Sequence, residues 1–300
     1  MLKISWDPQY ILSLPENHRF PMEKYELLPR QLLYEGSISE ENLFSPISAT
    51  REEILRCHSV DYLDKLLSLS LTKQEARRTG FPQTIELINR EMLIMGGTLM
   101  CADFALKHGV AMNIAGGTHH AYSNRGEGFC LLNDQGIAAM HLLESKLASK
   151  ILIVDLDVHQ GNGTAEIFAN NPNVFTLSMH GASNYPMKKE QSDLDIPLED
   201  GTEDSRYLQL LDYHLKKTMD QFEPDFMFFQ SGVDVLSTDK LGRLSMTREG
   251  CKERDRIVLQ TAKENDIPVV CSMGGGYSED IKVIVDAHAN TYRLAQEIFY

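Results

Sequence analysis

Apolar positions along this chain recur in two periods. Between Ser48 and Leu69, the residues Ile54, Leu55, Tyr62, Leu63, Leu66 and Leu67 recur at helical spacing, with a break expected near His58-Ser59. Thr84 to His108 is a longer apolar-striped helix, expected to be interrupted at Gly96-Gly97 and ended by Gly109. The same spacing predicts helices over Asp134 to Ala148, Glu203 to Gln221 with Thr202 as N-cap, Thr247 to Glu264, and Glu279 to Ile298. Between them lie short apolar runs: Val110 to Ala115, Ile151 to Val154, Val174 to Ser178, Phe226 to Gln230 and Pro268 to Ser272. Such runs, set between helices, read as buried strands of a mostly parallel sheet covered by helices on both faces. No repeat, low-complexity tract or concentrated linker divides the chain, so residues 1–300 are read as one α/β domain.

Composition narrows the function classes. A hydrophobic fraction of 42% with 24% charged residues is that expected of a soluble globular protein. A formal net charge of −14 argues against nucleic acid as a partner, and would tolerate or attract a cationic substrate such as a Lys-rich peptide or a polyamine. No apolar run reaches the roughly 18 residues of a membrane span, and Met1 to Pro8 does not read as a signal peptide. Five scattered cysteines without a CxxC pair suggest reduced thiols and a cytoplasmic location, or a nuclear one in a eukaryotic host.

The chemistry sits where the apolar runs stop. They lead into Gly116-Gly117-Thr118-His119-His120, Asp155-Leu156-Asp157-Val158-His159, Ser178-Met179-His180, Ser231-Gly232-Val233-Asp234 and Gly274-Gly275-Gly276-Tyr277. In a parallel sheet the carboxyl ends of strands share one rim, and ligands bind there. Asp157 and His159 are two apart and share a side if the segment is extended, and Asp234 could close a third corner. Two carboxylates and one imidazole leave positions open for water and substrate, which is the pattern of a catalytic metal site. The donor set suits Zn²⁺, Fe²⁺, Mn²⁺ or Co²⁺ without choosing among them. An apolar strand running into Asp-x-Asp also presents the nucleophile of haloacid-dehalogenase-like phosphotransferases. That reading leaves the histidine pair and the Gly274 to Tyr277 turn without a role.

One imidazole of the His119-His120 pair can take a proton from a metal-activated water, and each needs a partner on its other nitrogen. Asp155 is a natural partner if the chain bends locally after the strand. Tyr277, beyond a glycine turn, can donate to a developing oxyanion. Taken alone, the pair also fits a surface loop, and the turn fits an ordinary strand-to-helix connection.

Taken together the motifs resemble the histone deacetylase and acetylpolyamine amidohydrolase superfamily, along nearly the whole chain from His58-Ser59-Val60-Asp61-Tyr62 to Tyr277. Gly126-Glu127-Gly128-Phe129-Cys130 and Asn133-Asp134 belong to the same pattern. The resemblance implies a single-domain arginase/deacetylase fold with an eight-stranded, mostly parallel central sheet. It implies hydrolysis of N-acyl amides, with Asp157, His159 and Asp234 as Zn²⁺ ligands (Fe²⁺ being possible). It implies His120 as general base, His119 as an electrostatic partner oriented by Asp155, and Tyr277 on the substrate carbonyl. Gly128, Phe129, Tyr185 and Gly275 would line an acyl-lysine tunnel, with Gly128 accepting from the amide N–H. The Pro15 to Pro29 segment, with His18-Arg19-Phe20-Pro21, would form one lip. Asp155, Asp157, His159, Ser178 and Met179 would hold a structural K⁺ or Na⁺, and Phe168 and Val174 would belong to a second, outer cation site.

The segment His159-Gln160-Gly161-Asn162 departs from the His-His-Gly-Asp of class I members and is similar to class IV. The amide of Asn162 would support a charged His120 less than a carboxylate does. The implied substrate is an acetylated or longer-acylated lysine in a protein or peptide. An acetylpolyamine or related small amide is the alternative, and a silent binding module is disfavoured by the intact site residues. The oligomeric state is not readable from the sequence.

Overall fold

The structure, a computed structural model, describes residues 1–16 and 18–300. Eight strands form one sheet: β1 (Lys3–Ser5), β2 (Leu43–Phe44), β3 (Val110–Asn113), β4 (Ile151–Asp155), β5 (Val174–Gly181), β6 (Leu194–Leu198), β7 (Phe226–Gln230) and β8 (Val269–Ser272). Their order is β2-β1-β3-β8-β7-β4-β5-β6, and every neighbouring pair is parallel. The mostly parallel sheet expected from the pattern is therefore wholly parallel among the described residues. β3, β4, β7 and β8 are buried throughout, as continuous Val/Ile/Phe runs in a two-sided sheet must be. β6 carries Pro197, which cannot donate to a ladder, and it lies at the sheet's edge, where that costs nothing.

Helices α1 (Lys24–Tyr34), α2 (Arg51–Leu55), α3 (Val60–Leu67), α4 (Lys73–Thr79), α5 (Ile85–His108), α6 (Asp134–Glu144), α7 (Asn162–Phe168), α8 (Asp204–Phe222), α9 (Arg248–Glu264) and α10 (Ile281–Phe299) pack around it. None is long and apolar enough to cross a membrane, among the described residues. The break near His58-Ser59 is real, with Ser59 capping α3 through the N–H of Tyr62.

Two helical expectations fail. α5 runs unbroken through Gly96-Gly97. The glycines serve packing instead: a Cβ on Gly96 would lie 1.7 Å from the carbonyl oxygen of Ile47, and one on Gly97 would lie 2.5 Å from the Ser5 and Tyr10 hydroxyls. Thr202 does not cap α8; its hydroxyl donates to the Glu199 carbonyl, and Glu203 occupies the cap position without a side-chain bond.

Candidate active site

Four of the five expected strand ends meet at one rim, whereas Ser178-Met179-His180 lies inside β5, with Ser178 paired to Asp155. β4 stops at Asp155, and the chain then bends instead of continuing extended. The Asp155 carboxylate accepts the Asp157 N–H (3.1 Å), and the Asp157 carboxylate accepts the His159 N–H (3.1 Å). These successive side-chain turns, rather than the two-residue alternation of a strand, bring Asp157 and His159 together. His159 Nδ1 lies 3.1 Å from Asp157 Oδ1 and 3.1 Å from Asp234 Oδ2. One donor atom from each of Asp157, His159 and Asp234 falls within 4.8 Å of the others, and all three residues are buried. The Val158 N–H (2.9 Å) holds the other oxygen of Asp234.

Gly275, after β8, inserts between the two carboxylates. Its N–H donates to Asp157 Oδ2 (2.8 Å), and a Cβ there would lie 2.0 Å from Asp234 Oδ2. Only glycine allows that approach. Its carbonyl accepts from Val233, so Gly275 shapes the wall of the site.

The electrostatics ask for a cation. Burial works against charge on His159, yet its bonds to Asp157 and Asp234 outweigh that and push it up to about 10. Burial and the Asp157 charge raise Asp234. Two buried carboxylates converging on one imidazole nitrogen are a donor set that a divalent ion such as zinc fits.

The His119 and His120 rings lie 4.1 Å apart between centroids. His119 Nδ1 donates to Asp155 Oδ2 at 2.6 Å. Burial opposes its charge, but Asp155 and Asp157 prevail and push it up to about 9. Behind His120 a relay fixes the tautomer. Tyr122 donates its hydroxyl hydrogen to Glu190 (3.2 Å), so it accepts from Asn162 Nδ2 (2.9 Å), which turns Asn162 Oδ1 toward His120 Nδ1 at 2.6 Å. His120 thus carries its hydrogen on Nδ1 and keeps the Nε2 lone pair free. Burial, followed by the charges of His119 and His159, holds His120 well below the ordinary histidine range.

His120, His159 and Tyr277 line a cavity of about 320 Å³ together with Gly128, Phe129 and Tyr185. An inner cavity of about 40 Å³ continues past Gly116 to His120, Cys130 and Gly275, and is closed by Phe20 and Tyr25. Gly128 has φ +53°, and a Cβ on it would lie 2.6 Å from the His120 ring. Tyr185 meets the His120 ring edge-on at 4.9 Å and anchors its hydroxyl on Glu127 (2.7 Å). Within the Pro15 to Pro29 segment, Phe20 packs 5.2 Å from Phe129 and 6.2 Å from Tyr277, and His18 stacks on Phe81. Asn17, within that segment, lies outside the described residues.

Burial and the nearby Asp234 and Asp157 charges hold the Tyr277 phenol well above its ordinary range, so it remains a donor. Its N–H is fixed by Asp239 Oδ2 (2.6 Å). Asp239 was not visible in the sequence as a site residue, nor was Lys24. The ammonium of Lys24 is fully buried, donates to the Gly274 carbonyl (3.0 Å) and lies 5.7 Å from the Tyr277 ring centroid. Burial lowers it to about 8. Its one sequence signal is position, since Lys24 shares the buried stripe of Leu28 and Leu32. Asp134, from the Asn133-Asp134 motif, accepts from Thr98, Thr118 and Ser272, tying the Gly116-Gly117 turn to β8.

The residues expected around the structural cations fall in two places. Ser178 pairs with Asp155 across β4 and β5 beside Met179, and the Ser178 hydroxyl bonds His180 Nδ1 (2.9 Å). Phe168 and Val174 flank the turn between α7 and β5, where the Phe168 carbonyl accepts from Asn171 (2.9 Å).

Comparison with known proteins agrees with this arrangement. An uncharacterized protein of Picosynechococcus is 43% identical over 99% of both chains. Histone deacetylase 2 of Arabidopsis thaliana is 30% identical over 94% of this chain and 76% of its own length. The crystal structure of an HDAC homolog complexed with SAHA superposes with a TM-score of 0.85 at 27% identity, covering 99% of this chain and 84% of that one. The histone deacetylase domain family matches residues 18–292, and the chain belongs to that family.

Proposed function

We propose that this protein is a zinc-dependent lysine deacetylase that cleaves short acyl groups from Nε-acyl-lysine. The observation that carries the reading is the free Nε2 of His120, held by Asn162 in a cavity shared with Tyr277 and the Asp157–His159–Asp234 cluster. Asp157, His159 and Asp234 would hold the metal, which would supply a Lewis acid to activate water and polarise the scissile carbonyl. His120 takes the water's proton and later delivers it to the leaving amine. His119, kept cationic by Asp155, supports the negative charge that builds up beside it. Tyr277 donates to the oxyanion. Phe129 and Tyr185 clasp the lysine stem, while the Gly128 carbonyl accepts the amide N–H.

The inner cavity argues for a short acyl group. A single water needs roughly 10–15 Å³ of such space. A cavity of about 40 Å³ suits an acetyl group, whereas a fatty chain would have to displace Phe20 or Tyr25. The sequence pattern near Asn162 fits class IV, and five buried free cysteines fit a reducing cytoplasm. Turnover of acetyl-, octanoyl- and myristoyl-lysine peptides and of acetylputrescine, with zinc added, tests the reading. Acetyl-lysine peptide is expected to be fastest. Cleavage of acetylputrescine alone, or of none of the four, would overturn it.

A further inference from the structure

The chain is strongly acidic, with a net charge of −14, yet the mouth of its active-site cavity is not. Arg19, Arg78 and Arg243 line the 320 Å³ cavity, and among the described residues no carboxylate does. All three arginines are exposed, whereas His120 and His159 in the same cavity are buried, so the guanidinium groups ring the outer end. Arg19 sits 5.3 Å over the Phe129 ring. Neither Arg19 nor Arg78 has a carboxylate within 4 Å among the described residues, and Arg243 reaches Asp200 only at 3.5 Å.

Glu75 and Glu127 border a neighbouring pocket with Arg78, and both have partners of their own. Glu127 binds Arg125 and the Tyr185 hydroxyl, and Glu75 binds Lys65. Of the neighbouring lysines, Lys189 is tied to the Asn184 and Pro186 carbonyls. The local field at the mouth thus opposes the field of the whole protein.

We propose that Arg19, Arg78 and Arg243 form a collar that selects substrates carrying carboxylates on the amine side of the scissile amide. This rests on the deacetylase reading, in which the acyl group points inward and the leaving amine outward. The collar favours acetyl-lysine beside acidic residues, or with a free α-carboxylate, and disfavours polyamines and Lys-rich segments. The overall charge, which taken alone suits a cationic partner, is therefore misleading at the one place a substrate docks.

The test separates binding from turnover. Fluorescent acetyl-lysine peptides flanked by Glu, Ala or Lys are titrated against the zinc-loaded Tyr277→Phe variant, whose slowed turnover leaves time for binding to be read. Free acetyl-lysine and its amide compete in a second series. An exposed charge pair contributes at most a few-fold, so three arginines predict about a tenfold preference for Glu over Lys flanks at low salt, shrinking in concentrated salt. Adding R19E, R78E and R243E should reverse the order. A preference confined to the Glu-flanked peptide assigns the carboxylate to side chains, and tighter competition by free acetyl-lysine than by its amide assigns it to the α-carboxylate. Equal binding of all peptides, or a preference for Lys flanks, would overturn the collar. If Glu-flanked peptide binds best while the wild-type chain hydrolyses none of the three, the collar stands and the deacetylase reading fails.

Discussion

Asn162 Oδ1 lies 2.6 Å from His120 Nδ1, the same separation at which Asp155 Oδ2 meets His119. Both are buried, but the Asp155 carboxylate supports charge on His119, whereas His120 has a neutral amide partner and faces the charges of His119 and His159. His120 is held well below the ordinary histidine range, whereas His119 is pushed up to about 9. In N162D the new carboxylate stabilises a protonated His120 and raises its pKa. A base that must be neutral then becomes active only at higher pH, so the acid limb of the kcat/KM profile moves upward. An unmoved limb would exclude His120 as the base tuned by position 162.

Among the described residues Tyr277 meets no hydrogen-bond acceptor through its hydroxyl, while its backbone is locked by Asp239. Y277F should therefore leave the fold and ligand affinity intact. Turnover should fall by about 10²–10³-fold, the loss typical of a missing oxyanion donor. Full turnover in Y277F would end the assignment.

The three-residue cluster predicts one zinc ion per chain. D157A, H159A and D234A should each lose it by elemental analysis. Stripping the wild-type chain with a chelator should lower Tm, and zinc should restore it. Metal at 100 times its Kd contributes about 2.7 kcal/mol by mass action. A stripped chain with unchanged Tm and undiminished turnover contradicts a metal at this position.

His58 offers a test of stability against pH. It is buried, and its Nε2 accepts the Asn133 N–H (2.9 Å) at the start of α6. Burial lowers it from 6.5 to about 4. Because its folded pKa lies below its unfolded one, its contribution is complete above pH 6.5. It is lost as pH falls toward 4, an effect on the order of 3 kcal/mol. Urea unfolding at pH 7, 6 and 5 should show the decline, with H58Q flatter than wild type. Other buried histidines add their own slopes to both chains, so the difference between the curves is the readout. Parallel curves would remove His58 from the account.

Much of this site was legible because its residues end buried strands. His119, Asp157, Asp234 and Tyr277 each follow an apolar run, and a parallel sheet brings such ends to one rim. What stayed hidden depends on contacts distant in sequence. Lys24 reads as a solvated helix lysine until Gly274, 250 residues away, is seen to accept from it. Asp239 looks like loop polarity until it meets the Tyr277 backbone. Gly96-Gly97 carries the local signal of a broken helix, and only the approach of Ile47 gives the pair its purpose. β1 and β2, three and two residues long, are too short to show a period.

β8 lies between β3 and β7, although it is the last strand in the chain. Val269–Ser272 alone joins the two halves of the sheet, β2-β1-β3 and β7-β4-β5-β6, among the described residues. The Gly116 to His120 turn belongs to one half and the Asp157–His159–Asp234 cluster to the other. Strand β8 is therefore the seam that sets the Gly116 to His120 turn beside the Asp157–His159–Asp234 cluster.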